Sequence, residues 1–96
     1  MKETKTNTAP AAIGPYSQAI EYNGIVYTSG VIGVNPATGE VAGDKIETQA
    51  EQSCKNVQAI IEAAGGKMDA VVKTTCFLAD MNDFAAFNAV YEKYFI

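Results

Sequence analysis

The sequence predicts an α+β fold in which an N-terminal β-hairpin leads into helices separated by a strand. Three observations carry that expectation. Asn23-Gly24 divides two runs of strand composition, apolar residues recur at three- and four-residue steps from Ile46 to Ala64, and Val71–Ala79 is β-branched and aromatic over a strand's length. A chain of 96 residues, 48% of them apolar, is enough for one domain spanning 1–96. At that size folding buries roughly 65% of the unfolded surface, so the core is a single modest one.

The elements follow in order. Residues 1–8 are polar and read as loose, and Pro10 and Pro15 then stiffen an extended N-terminal segment. Ser17–Tyr22 and Ile25–Val31 pair as a hairpin, because Asn-Gly accepts the positive φ angles of a tight turn. Asn35-Pro36-Ala37-Thr38-Gly39 is a second turn, with a short strand through Glu40–Val41 after it. Ile46, Ala50, Cys54, Val57, Ile61 and Ala64 then share one face of a helix. Capping-box spacing occurs twice at its start, in Asp44/Glu47 and Thr48/Glu51, and Gly65-Gly66 closes it. In the strand Val71–Ala79, Val72, Thr74, Cys76 and Leu78 share a face. Asn82 reads as the N-cap of a second helix carrying Phe84, Phe87, Tyr91 and Tyr94. A strand followed by a helix needs a further strand to complete the crossover, and Lys93-Tyr94-Phe95-Ile96 contains no stop signal. The expectation is a fold whose C-terminal part is missing as written.

Composition narrows the function. A net charge of −4 and a pI near 4.6 leave no basic patch for nucleic acid. No apolar run reaches the roughly 18 residues of a membrane span, and the polar N-terminus is no signal peptide. Two cysteines make no disulfide framework, which suits a reducing cytoplasm. With no histidine, neither a metal site nor a histidine base is expected, and Cys54 and Cys76 read as inert core thiols.

Four positions stand out as candidates. Tyr16 follows the stiff Gly14-Pro15 and could wall a polar pocket, or simply cover a sheet edge. Ser29-Gly30 sits in an apolar run, where a glycine marks close approach of a ligand or a bulge. Asn88 shares a helix face with Phe84 and Tyr91 and could line a pocket or interface, or border the apolar stripe. No carboxylate can be singled out from spacing as acid or base.

Several stretches together resemble the RidA/YjgF family of imine and enamine deaminases. They are Ala9–Ala19 (APAAIGPYSQA), Tyr27–Glu40 (YTSGVIGVNPATGE), Gln52–Ile60 with Glu62–Gly65, Val72–Thr75, Asp80–Phe84 and Asn88–Phe95. The resemblance implies a mixed sheet with two helices packed on one face, chorismate-mutase-like, assembled as a homotrimer with sites between subunits. It implies hydrolysis of reactive 2-imino and enamino acids to 2-keto acids and ammonia, without metal or cofactor. By matching position, Tyr16, Ser29, Gly30 and Asn88 are the substrate-binding residues. The family's carboxylate-clamping arginine and its later glutamate have no counterpart here, and the chain contains no arginine at all. A guanidinium supplies two charge-assisted bonds that neutral donors do not replace. Weak or absent turnover is therefore expected of these 96 residues alone. The alternatives are a non-catalytic module binding a small molecule or a protein through the same cleft, and, behind it, a ribonuclease or translation inhibitor, which the acidic charge disfavours.

Overall fold

Residues 1–95 are described by the computed structural model. β1 (Lys2–Thr4), β2 (Ala19–Tyr22) and β3 (Ile25–Thr28) form an antiparallel sheet in the order β1-β2-β3. The hairpin lies where the sequence places it, with Ala19 opposite Thr28 and Tyr22 opposite Ile25. Asn23 (φ 53°) and Gly24 (φ 80°) both take the left-handed conformation that the two-residue turn requires. The strands are shorter than their composition suggests, since pairing ends at Ala19 and Thr28.

The first correction concerns residues 1–8. They are not loose: β1 pairs with β2, setting Lys2 opposite Glu21 and burying Thr4 opposite Ala19. A short polar strand has no apolar periodicity to announce it, and its order comes from a neighbour some 15 residues away in sequence.

The second turn forms as expected. Gly39 (φ 75°) and Thr38 donate to the Asn35 carbonyl, and Asn35 Oδ1 accepts from the Ala37 N–H at 2.8 Å. The strand expected at Glu40–Val41 is reduced to one bridge between Val34 and Val41.

α1 (Ile46–Ala63) is the longest element. Neither capping box forms: the N-cap is Lys45, and Thr48 Oγ1 donates to the Lys45 carbonyl at 3.0 Å. The C-terminus is a Schellman closure, with Gly65 N–H bonded to Glu62 O, Gly66 N–H to Ile61 O, and Gly65 at φ 88°. Its buried face is Ala50, Cys54, Asn56, Ile60 and Ile61, so the face turns toward Asn56 and Ile60 and leaves Val57 half-buried. The core lies between α1 and the hairpin: Ala9, Ala19 and Ile60 meet there, with Val26, Val31 and Ala59 packed around them.

Val71–Ala79 joins no ladder among the described residues, which corrects the expected strand. Strand composition supplies side chains suited to a sheet but not the neighbouring backbone that makes one. Val72 and Phe77 are over nine-tenths exposed, and Cys76 is exposed rather than a core thiol. Asn82 is not an N-cap: the Asp80 carboxylate accepts from the Asn82 N–H at 2.9 Å and opens a 3-10 turn, Met81–Asp83. α2 (Phe84–Tyr91) continues from it and packs on α1 through the buried Val90. Phe87, Tyr91 and Phe95 stack in series, with centroids 5.4 and 4.6 Å apart. Among the described residues, no helix is long and apolar enough to cross a membrane.

Candidate functional site

The segment from Ala9 to Ser17 is held from within by one side chain. Gln18 is buried, and its amide donates to Pro10 O at 2.7 Å and Thr6 O at 3.1 Å while its Oε1 accepts from the Thr6 N–H at 2.7 Å. Every polar atom of that amide is therefore spent, as burial demands. Beyond it, Tyr16 N–H bonds back to Gly14 O at 2.8 Å across Pro15, a three-residue turn that proline's fixed φ favours. The Tyr16 ring lies over Gly14, where a Cβ would stand 3.6 Å from Cδ2 and Cε2.

Tyr16 is half exposed and borders an open cleft of about 520 Å³ with Glu3, Lys5, Thr6, Ala12, Ser17 and Gln18. Both signs of charge are present. Glu3 accepts from Ser17 Oγ at 2.5 Å and lies 3.6 Å from Lys5 Nζ. The Ser17 bond, and after it the Lys5 charge, hold the Glu3 carboxyl below its ordinary range.

Ser29 adjoins this cleft through the backbone. Its N–H donates to Gln18 O at 3.0 Å and its Oγ to Ser17 O at 2.6 Å. The hydroxyl is thus engaged with main chain. Gly30 is exposed, nothing lies within 4 Å of the position a Cβ would take, and its N–H has no hydrogen-bond partner among the described residues. Asn88 stands apart. It is exposed on α2 and does not border the Tyr16 cleft, whereas its neighbour Tyr91 bonds Thr74 through the hydroxyl. The structure therefore ties Ser29 to Ser17 and Gln18 behind the Tyr16 cleft, with Gly30 next to it in sequence, and leaves Asn88 elsewhere within a single chain.

Cys54 is not poised for nucleophilic work. Burial, then the Glu51 charge and Cys76, push the Cys54 thiol up to about 11. Tyr94 is pushed up to about 12 by burial first and by the Glu51 carboxylate second.

A family model described as Endoribonuclease L-PSP matches residues 6–96. The chain belongs to that family, the RidA/YjgF family. It is 60% identical over 90 residues to a RutC family protein of Haemophilus influenzae, covering 94% of this chain and 68% of that protein. It is 54% identical over 94 residues to the 2-iminobutanoate/2-iminopropanoate deaminase of Escherichia coli K12, covering 98% of this chain and 73% of the enzyme. Among solved structures, Escherichia coli TdcF with bound serine superposes with a TM-score of 0.94 at 44% identity, over 98% of this chain and 73% of that one. The α+β fold expected from the sequence is the RidA/YjgF fold.

Two buried amides of this RidA/YjgF chain are not singled out by the sequence. One is Gln18, described above. The other is Asn56, 1% exposed, whose Nδ2 donates to Ile32 O at 3.0 Å and Val34 O at 2.8 Å. A polar residue beside an apolar helical stripe was the available signal. The partners of each amide are backbone carbonyls distant in sequence, and nothing in the spacing identifies them.

Proposed function

We propose that this chain acts on small reactive 2-imino or enamino acids, hydrolysing them to the 2-keto acid and ammonia. The observation that carries this is its 54% identity, across nearly its whole length, to a 2-iminobutanoate/2-iminopropanoate deaminase. In the reaction, water adds to the C=N carbon, and the resulting carbinolamine expels ammonia as its hydroxyl becomes the ketone. The Gly30 N–H, unspent by the fold, receives the substrate carboxylate or the developing tetrahedral centre. Ser29 fixes the backbone beside it, and Tyr16 walls the cleft and offers a phenolic hydroxyl. That TdcF, a structural neighbour, holds serine supports an amino-acid-sized ligand. Asn88 belongs to the same site through assembly: in a homotrimer, one copy's α2 can border another's cleft.

The test pairs an imine-hydrolysis assay with calorimetry using 2-ketobutyrate. Turnover that falls in Tyr16→Phe and Gly30→Pro supports the assignment. Turnover unaffected by both removes these residues from the site. Binding of 2-ketobutyrate without turnover favours a non-catalytic module of the same fold.

A further inference from the structure

We propose that Ser53 and Asn56 of α1 are positioning residues for the Gly30 amide. This rests on the reading that Gly30 N–H meets the substrate carboxylate. Gly30 itself touches little, and a glycine without contacts would wander over a broad range of backbone angles. Its two neighbours are nonetheless fixed. On one side Ser29 makes two bonds, N–H to Gln18 O and Oγ to Ser17 O. On the other, Ser53 Oγ donates to Val31 O at 3.2 Å.

Past that point the chain departs from strand geometry. In a strand, successive carbonyls point to opposite sides, yet those of Val31 and Ile32 are both bonded by side chains of one helix. The backbone bends to allow it: Val34 N–H bonds back to Ile32 O at 2.9 Å. Asn56 secures the bend with both amide hydrogens, on Ile32 O and Val34 O, and its own Oδ1 is fixed by Gln52 Nε2 at 2.9 Å. Reversing the amide would set its oxygen against two carbonyl oxygens, so one orientation is possible. Gly33 lets the helix come this close, since a Cβ there would stand 2.4 Å from Gln49 O. The helix thus takes the carbonyls of Val31, Ile32 and Val34, holds the segment out of the sheet, and leaves the Gly30 N–H unpaired at a set position. A donor fixed before the ligand arrives costs less ordering on binding.

The experiment uses the whole chain and two readouts: the Gly30 amide resonance by NMR, and 2-ketobutyrate affinity by calorimetry. Ser53→Ala removes one bond next to Gly30 without touching the cleft. It is expected to keep its melting temperature within a few degrees, shift the Gly30 resonance, and weaken 2-ketobutyrate by about three- to tenfold, the worth of one hydrogen bond. Ser53→Thr, which keeps the hydroxyl, restores both. Asn56→Asp, which sets a carboxylate oxygen against the two carbonyls that the Nδ2 hydrogens now bond, moves both readouts further if it folds. A Gly30 resonance and an affinity unchanged in Ser53→Ala overturn the proposal. If the unsubstituted chain does not bind 2-ketobutyrate, the functional assignment fails, and the Gly30 resonance alone then decides the positioning role.

Discussion

Gly33→Ala is the sharpest test of how α1 seats on the hairpin. The added Cβ would stand 2.4 Å from Gln49 O and 2.9 Å from Gln49 Cα, both backbone atoms with no rotamer to escape into. Relaxed carbon–oxygen contacts lie near 3.3 Å or beyond, so the helix and the segment must part by about 1 Å. Three bonds cross that joint, at 3.2, 3.0 and 2.8 Å. A 1 Å separation takes all of them out of hydrogen-bond range. At about 0.5–1.5 kcal/mol each, the loss is about 2–4 kcal/mol. For a domain of this size that lowers Tm by roughly 10–25 °C. Gly30→Ala, three residues earlier, is the control: nothing lies within 4 Å and the backbone is outside the left-handed region, so it changes stability by no more than about 1 kcal/mol. Circular-dichroism melts of both variants decide the matter. A Gly33→Ala protein that melts within about 2 °C of the original, or a Gly30→Ala protein that falls as far as Gly33→Ala, refutes the packing described.

Gln18→Ala strands the Thr6 N–H and the Thr6 and Pro10 carbonyls, at a cost of about 1–3 kcal/mol in urea unfolding, and it speeds proteolytic cleavage between residues 5 and 13; unchanged cleavage would show that the segment is held by other means. Cys54 makes stability fall in alkali. Its folded thiol, pushed up to about 11, keeps its proton while the unfolded thiol releases it near pH 8.5, so stability is full below about 8.5 and is lost as pH rises toward 11. About 2–3 kcal/mol is at stake by pH 10.5, and urea melts of Cys54→Ala should show a smaller alkaline loss than the original chain; equal losses would assign the effect to other groups. With thiol reagents at pH 8, the exposed Cys76 reacts first and Cys54 only on unfolding, and two equivalents taken up rapidly by the folded protein would contradict the burial of Cys54.

What the sequence disclosed was local. Asn23-Gly24, Asn35–Gly39 and Gly65-Gly66 carry their backbone angles in their own residues, and all three form as expected. The repeat of apolar residues in α1 is likewise a property of one stretch. What escaped reading depends on partners elsewhere in the chain. β1 is polar and exists because β2 lies beside it, whereas Val71–Ala79 has the composition of a strand and no neighbour among the described residues. The capping boxes of α1 fit a pattern, but Thr48 spends its hydroxyl on Lys45 O instead. At the candidate site the same division holds. Tyr16, Ser29 and Gly30 were legible as a motif, while the buried amides of Gln18 and Asn56 behind them were not. An amide's role is set by the carbonyls it meets, and those lie 8 to 24 residues away.

The grip of α1 on residues 31–34 also orders events in time. The hairpin closes through a two-residue turn and can form by itself within microseconds. Val31–Val34 is ordered locally only in part, by the bridge from Val34 to Val41, and the carbonyls of Val31, Ile32 and Val34 wait for side chains 22 to 24 residues ahead. Arrival of the helix, a loop closure across the second turn, is therefore the step at which hairpin, bend and helix become one nucleus. In stopped-flow refolding, weakening the joint at Ser53 should appear chiefly as slower folding, whereas Val90→Ala in α2 should appear chiefly as faster unfolding.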